Sequence, residues 1–238
     1  MKKSSETALD SRGIDDSKLI EEYHKLDFSI LSEKLKSPLP SERTAAARVL
    51  SNHKTEDCVL ILTHALIKET KLYSKIAISE SLGSLGIISL NYLLPLLGKI
   101  GTNQHKTITE KKFRKKSFPL PRDIASRTIT KIGEEALLPL EKFICNEDDS
   151  AVSEALDAYG FIIFYSKQKR DSYILIRLYR KTQNLLIKWK IIRALESFTD
   201  NESISLLENV LKDQTCTILH KEAERSLTQI KRIKEKNI

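Results

Sequence analysis

A short pattern recurs six times along the chain and constrains the fold more than any other feature. In each copy, an apolar residue is followed three positions later by a small or β-branched residue and four positions later by an aliphatic one. This spacing places the residues on one face of an α-helix, and the small residue lets a neighbouring helix approach closely. The six stretches begin at Ala46, Ile78, Ala125, Val152, Ile191 and Ala223.

Each stretch is preceded by a second apolar segment with helical spacing. These segments are residues 29–35, 58–66, 91–100, 136–144, 173–180 and 204–211. Successive stretches begin about 35 residues apart on average, which is typical of helical-hairpin repeats. With only seven Gly and six Pro, the chain also lacks the turn residues of a β-sandwich or barrel. The sequence therefore predicts an all-α array of about six helical hairpins.

Glycine and proline mark positions inside these repeats. Gly86, Gly133 and Gly160 each follow the start of a stretch by eight positions, where a left-handed residue would end a helix. We therefore expect three of the second helices to stop at these glycines. Pro95 and Pro139 interrupt matching Leu-Leu-Pro-Leu strings in the preceding segments, which predicts a bend there rather than a helix start.

The third repeat carries a resemblance to a known family. The run RDIASRTITKIG from Arg122 to Gly133 and its continuation EEALLPLEKFI to Ile144 resemble the HEAT repeat, in the subtype of bilin-lyase-like HEAT proteins. The resemblance implies a right-handed α-solenoid of HEAT-like helical hairpins, in which second helices line a concave interaction face. Two enzyme classes fall within it, HEAT-like alkylpurine DNA glycosylases and bilin lyase partners, and for neither can a catalytic residue be assigned.

Domain organisation follows from the repeats and from charge. Residues 1–14 are expected to be an unstructured tail, and residues 15–238 a single solenoid with an insertion at about 102–120 inside the third repeat. The window from Gly101 to Gly133 contains nine Lys and Arg and two acidic residues. Most of the net charge of +8 therefore lies in this window.

The insertion interleaves cations with aromatic residues, which makes it a candidate binding segment. One interpretation is a solvated, mobile charged loop. A second is a nucleic-acid contact in which cations neutralise phosphates and an aromatic ring stacks on a base. A third is docking to an anionic membrane surface. The candidate binding residues are Lys106, Lys111, Lys112, Phe113, Arg114, Lys115, Lys116 and Phe118.

The single tryptophan supplies a second candidate. Lys188, Trp189 and Lys190 begin the second helix of the fifth repeat, and Arg193 follows one turn later. Trp189 lies off the centre of the packed face, so we expect partial exposure and a role in stacking on a base or anchoring a peptide. The alternative is that Trp189 fills the gap between adjacent repeats.

Sequence signatures of catalysis are missing. No two His are four residues apart, no two Cys are two apart, and neither a phosphate-binding glycine loop nor a nucleophile elbow occurs. Glu154 and Asp157 are expected to lie on a solvated helix surface. We therefore predict no catalytic residues, no cofactor and no metal site.

The predicted function is a non-enzymatic scaffold that binds a protein or peptide on its concave face. The alternative is a nucleic-acid binder, which could be of the DNA glycosylase type, and an anionic membrane surface is the third partner considered. We expect a cytoplasmic protein, because a secretory leader and an apolar membrane span are both missing. Cys58, Cys145 and Cys216 are expected to be reduced core thiols.

Overall fold

The structure, a computed structural model, describes residues 9, 11–14, 16–109, 115–146, 148–166 and 170–236 of the chain. Over these residues it consists of helices and connecting turns and contains no strand, which confirms the all-α prediction. The chain divides into two compact units, residues 1–93 and 94–238, and we describe each by itself. One continuous solenoid over residues 15–238 stays a prediction.

The first unit contains the first two predicted hairpins. Its helices are α1 Ser17–Tyr23, α2 Phe28–Lys34, α3 Pro40–Leu50, α4 Glu56–Lys68, α5 Leu72–Ser84 and α6 Leu90–Leu93, with a 3₁₀ turn at Gly86–Ser89. The pair α2 and α3 forms one hairpin and the pair α4 and α5 the next, and the second helices α3 and α5 pack side by side.

The second unit repeats this arrangement. Its helices are α7 Ile124–Ile132, α8 Leu137–Asn146, α9 Asp149–Tyr165, α10 Tyr173–Lys181, α11 Leu185–Leu195, α12 Asn201–Lys212 and α13 His220–Lys236. Hairpins α8–α9, α10–α11 and α12–α13 follow one another, and the second helices α7, α9, α11 and α13 pack in sequence. Further 3₁₀ turns lie at Leu94–Leu96, Gly133–Ala136 and Thr217–Leu219.

Buried serines connect neighbouring second helices at the small position of the repeat. The hydroxyl of Ser81 on α5 donates to the carbonyl of Ala47 on α3 over 2.7 Å. The hydroxyl of Ser226 on α13 donates to the carbonyl of Ile192 on α11 over 2.9 Å. A hydroxyl can reach a neighbouring main chain only if the two helices are close, so these contacts confirm the expected role of the small residues.

The glycine prediction is confirmed at two positions and wrong at the third. Gly86 and Gly133 have φ angles of 71° and 79° and follow the ends of α5 and α7. Gly160 instead lies inside α9. A Cβ atom there would be 2.6 Å from Cζ of Phe118 and 3.0 Å from Cα of Ala194. Gly160 is therefore required by close packing and not by a helix end.

The prolines also differ from expectation. Pro139 is the third residue of α8, where the missing N–H costs no helical hydrogen bond, so the predicted bend is wrong at this position. Pro95 lies in the 3₁₀ turn Leu94–Leu96. At both matched positions the proline lies within three residues of a junction between an α-helix and a 3₁₀ turn, and it does not interrupt a long helix.

Part of the predicted N-terminal tail is packed against the first unit. The carbonyl of Gly13 accepts a hydrogen bond from Thr44 Oγ1 over 2.6 Å, and that of Arg12 accepts one from the amide of Tyr73 over 3.0 Å. Gly13 is buried with a φ angle of 79°, and a Cβ there would collide with Ser74. The prediction of an unstructured tail is therefore wrong for residues 11–14, while residues 1–8 lie outside the described residues.

The thiols are less uniform than predicted. Cys58 is buried, donates to the carbonyl of Leu50, and has its pKa raised to about 11 by burial. Cys145 is exposed and Cys216 is half-buried, so the expectation of core thiols is wrong for both, although all three are free. Within the described ranges no single helix has the length and apolarity to cross a membrane, and Leu72–Ser84 with Gly86–Leu96, bent by 119°, meets those criteria only as a pair.

Candidate nucleic-acid interface

The insertion of the third repeat lies on the second helices of the second unit. Near its start, the Gln104 amide donates to Oδ2 of Asp123, the N-cap of α7, over 2.8 Å. The next residue, His105, packs edge-to-face on Trp189 of α11 with ring centroids 5.2 Å apart. The insertion is therefore anchored at Gln104 and His105. Residues 110–114 lie outside the described residues, so the interpretation of a solvated, mobile loop stays a prediction.

Phe118 anchors the other end of the insertion. Its side chain is only 3% exposed and lies over Gly160 of α9, where the missing Cβ leaves room for the ring. Its ring centroid is 6.3 Å from that of Phe161 and 5.7 Å from that of Phe164. A buried ring cannot stack on a base, so the prediction of a binding role for Phe118 is wrong and its role is apolar packing.

Four cations in and just after the insertion are exposed. They are Lys106, Lys115, Lys116 and Arg122, whereas Phe118 and His105 pack against the helices. The carbonyl of Lys116 accepts a hydrogen bond from the side-chain amide of Gln229 on α13, which holds this part of the segment against the helix. Four other predicted binding residues lie outside the described residues: Lys111, Lys112, Phe113 and Arg114.

A cavity of about 350 Å³ opens where the insertion meets α13. It contains two cations, one aromatic ring and one carboxylate, and its lining residues are Lys116, Phe164, Gln229, Arg232, Ile233 and Glu235. Next to it, the ring of Tyr165 is 54% exposed and lies 5.0 Å from the ring of Phe164. Two larger cavities, of about 540 and 520 Å³, contain none of the predicted binding residues.

Trp189 does not have the predicted exposure. It is 1% exposed, and the guanidinium carbon of Arg193 lies 3.8 Å from the centre of its ring. The expected exposure is therefore wrong. The ring packs against Arg193 of its own helix and His105 of the insertion, and the alternative that it fills the gap between adjacent repeats stays a prediction. Lys188 is half-buried, with its ammonium 5.3 Å from the ring centre of Tyr179.

Lys190 belongs to a buried ion cluster, so it cannot contact a partner directly. Its ammonium lies 2.7 Å from Oε1 of Glu154 and 2.9 Å from Oδ2 of Asp157, and its side chain is fully buried. The expectation that these two acids lie on a solvated surface is therefore wrong. Burial raises the pKa of Glu154 to about 7, and the charge of Asp157 acts in the same direction.

A second buried cluster connects α11 with α13. Nε of Arg193 lies 3.2 Å from Oε1 of Glu222, which also pairs with Nε of Arg225 at 2.7 Å, and Arg225 in turn pairs with Glu196. Burial raises the pKa of Glu196 to about 7. Although burial acts to raise the pKa of Glu222 as well, the two arginines hold it below its usual value. Arg193 is therefore a packed ion-pair residue and not a free binding group.

One regularity in the sequence points to these clusters. Two positions after the start of each repeated stretch the residue is charged, although apolar periodicity gives no reason for charge there. The residues are Arg48, Glu80, Arg127, Glu154, Arg193 and Arg225. A recurring charge on the packed side of successive helices indicates ion pairs between repeats, and Arg48 does pair with Glu80 in the first unit.

The last features of the site are the charge of His105 and the side chains that could hold a metal ion. The Nδ1 atom of His105 is buried and has no hydrogen-bond partner among the described residues, and burial lowers the pKa of His105 to about 4. Imidazole is therefore neutral at pH 7 and adds no charge to the surface. Within the described residues, no group of three or more His, Cys, Asp or Glu side chains is placed to hold a metal ion.

The chain has matches among solved structures, and one of them is a human enzyme. No family model matches the sequence, and the search of curated proteins gave no significant match. The structure of human deoxyhypusine hydroxylase in complex with glycerol is 12% identical in sequence, and the alignment covers 90% of this chain and 88% of that one with a TM-score of 0.37.

The protein found is an enzyme, so the predicted non-enzymatic scaffold for a protein or peptide is corrected and not proposed again. At this TM-score the likeness carries no activity over to this chain. The nucleic-acid alternative is not addressed by the comparison.

Proposed function

We propose that the protein binds nucleic acid through its insertion, with exposed Lys and Arg side chains contacting phosphates. The proposal rests on which side chains of the insertion are packed against the helices and which are exposed. Phe118 and His105 face the helices, whereas Lys106, Lys115 and Lys116 remain exposed. A segment held in this way presents its charge without the entropic cost of ordering a free loop on binding.

The same arrangement favours nucleic acid over an anionic membrane. Polybasic segments that dock on lipid gain from aromatic side chains that enter the interface. Phe118 is not available for this, because its ring is buried against Phe161 and Phe164. Phosphate contacts need only the exposed cations.

The experiment compares two charge variants of the full chain. The first replaces the exposed cations Lys106, Lys115, Lys116 and Arg122 with Gln. The matched control replaces four exposed lysines of the first unit with Gln: Lys18, Lys25, Lys54 and Lys68. Both variants lose four positive charges, so a general effect of net charge changes both equally. Affinity for a fluorescent oligonucleotide is measured by anisotropy over a series of salt concentrations.

If the four cations contact phosphates, the slope of log affinity against log salt becomes less negative in the first variant. The change is about 2.8 for a single strand and about 3.6 for a duplex, with a loss of affinity of more than about tenfold. The control keeps the slope of the unmodified protein. Equal slopes in all three proteins would refute the proposal.

We also propose that the hairpins are HEAT repeats of the bilin-lyase-like subtype. Support comes from the matched prolines and from Gly86 and Gly133, whose positive φ angles close second helices at the same repeat position. The test is an experimental structure of the whole chain. Hairpins that stack with a left-handed turn, or that close around one central core, would contradict this assignment.

A further inference from the structure

The cavity between the insertion and α13 combines the groups that an unpaired nucleotide needs. Lys116 and Arg232 are exposed cations that line the cavity, and Phe164 supplies an aromatic wall. A phosphate is bound by cations, whereas the flat face of a base stacks on an aromatic ring. The volume of about 350 Å³ is near the lower end of known ligand cavities, which span about 300–1,000 Å³.

The aromatic wall is held in place and continues beyond the cavity. Phe164 packs against the buried ring of Phe118, with centroids 5.7 Å apart, and against Tyr165, with centroids 5.0 Å apart. The ring of Tyr165 is 54% exposed. A fixed ring loses little freedom on binding, and an exposed neighbour offers a place for a second base.

Hydrogen bonds between the polar residues that line the cavity hold them in place. Gln229 is 3% exposed; its amide donates to the carbonyl of Lys116, and its carbonyl oxygen accepts from Nη1 of Arg232 over 2.8 Å. These contacts hold Lys116 and Arg232 on the same cavity. Glu235 adds one exposed carboxylate, which repels phosphate but can accept a hydrogen bond from a base amino group.

We infer that this cavity holds one nucleotide of a single strand, with its base on Phe164 and its phosphate between Lys116 and Arg232. The inference rests on the proposed function and goes further, since it names single-stranded nucleic acid as the ligand. In a duplex the bases are stacked and paired inside the helix, so they cannot enter the cavity. The protein therefore binds a single strand more tightly than a duplex of the same length.

The first experiment uses the unmodified full chain with three probes of about 15 nucleotides, which covers the usual site sizes. The probes are oligothymidine, the same strand with abasic sites throughout, and a duplex. The abasic strand has the same phosphates and no bases, so the difference measures stacking alone. We expect it to bind about 5- to 100-fold more weakly than oligothymidine.

The second experiment tests the ring itself. Phe164→Leu keeps an apolar side chain and removes the aromatic face, and Phe28→Leu is the matched control at a half-buried phenylalanine of the first unit. Phe164→Leu should reduce the difference in affinity between oligothymidine and the abasic strand to the part that Tyr165 contributes, whereas Phe28→Leu should preserve the full difference. A parallel variant, Arg232→Gln at an exposed position, should weaken both strands by the same factor.

The outcomes separate the two proposals. If oligothymidine and the abasic strand bind the unmodified protein equally and with the same salt dependence, the nucleotide cavity is refuted while phosphate binding stands. If none of the three probes binds, the proposed function fails, and the cavity assignment fails with it. Should Phe164→Leu not fold, the comparison of abasic and normal strands on the unmodified protein still decides.

Discussion

Gly160 is the position where a single methyl group should disturb the second unit most clearly. In an ordinary helix interior, replacing Gly with Ala stabilises the protein by about 1 kcal/mol. In α9 the added Cβ would lie 2.6 Å from Cζ of Phe118 and 3.0 Å from Cα and Cβ of Ala194. The ring of Phe118 can move only by giving up its packing, and Cα of Ala194 belongs to the main chain of α11.

The magnitude follows from these contacts. Overpacking of a core site costs about 1–3 kcal/mol, and a main-chain neighbour that cannot yield places Gly160→Ala at the upper end. The hydroxyl of Ser197 also bonds to the carbonyl of Gly160 over 3.1 Å, which opposes a separation of α9 and α11. After subtraction of the helix gain, we expect the free energy of unfolding to fall by about 1–2 kcal/mol.

Urea unfolding followed by tryptophan fluorescence measures this change. Trp189 is the one tryptophan of the chain and lies on α11, so its emission reports on the second unit. A Gly160→Ala protein that is as stable as the unmodified one, or more stable, would refute the reasoning.

A second background separates the two neighbours. In a Phe118→Ala protein the ring is absent, and only the contact with Ala194 remains. The cost of Gly160→Ala should therefore be smaller there by about 1 kcal/mol. An unchanged cost would show that Phe118 is not the obstacle.

Two further predictions concern the buried charges and the histidine. Lys190→Met leaves Glu154 and Asp157 without their cation, so the free energy of unfolding at pH 8 should fall by about 3–5 kcal/mol. At pH 5 the loss should be smaller, because the raised pKa of Glu154 makes that carboxyl neutral, and urea unfolding at both pH values checks this. His105→Phe tests the pKa of about 4. The unfolded chain protonates His105 near pH 6.5 and the folded chain only near pH 4, so the unmodified protein should lose about 1–3 kcal/mol relative to the variant as pH falls through this window. Parallel stability profiles of the two proteins between pH 7 and 4 would contradict the assignment.

The helices could be predicted from the sequence because their cause is local. The apolar faces that begin at Ala46 and Ile191 repeat at helical spacing, and the structure places both residues inside second helices, α3 and α11. Small residues such as Ser81 were also interpreted correctly, because close helix packing leaves few alternatives at that offset.

The failures share a different cause, which is the partner that a residue meets far along the chain. Gly133 and Gly160 occupy the same repeat position, yet one ends a helix and the other lies beneath Phe118. Their position in the repeat does not distinguish them. The spacing predicts Trp189 off the packed face of its own helix, whereas in the structure its ring contacts His105, which lies more than eighty residues earlier in the insertion.

The sequence predicts the positive charge of the candidate site but not which of its side chains are exposed. Composition shows that the basic residues cluster between Gly101 and Gly133. Which side chains face outward depends on where the segment is anchored, and Gln229, more than a hundred residues later, supplies one of the anchors. The sequence analysis does not predict Phe164 and Tyr165 at the end of α9 as binding residues, because they belong to a different repeat from the insertion.

The serine hydroxyls that connect second helices bear on how such a protein could grow. In both Ser81–Ala47 and Ser226–Ile192, donor and acceptor are 34 residues apart, so each hydrogen bond connects a second helix only to that of the adjoining hairpin. Duplication of one hairpin together with its serine would add one hairpin to the array and leave the contacts between the other hairpins unaltered. Array length can thus vary by whole hairpins, through gene duplication or by design, without resetting the distance between helices.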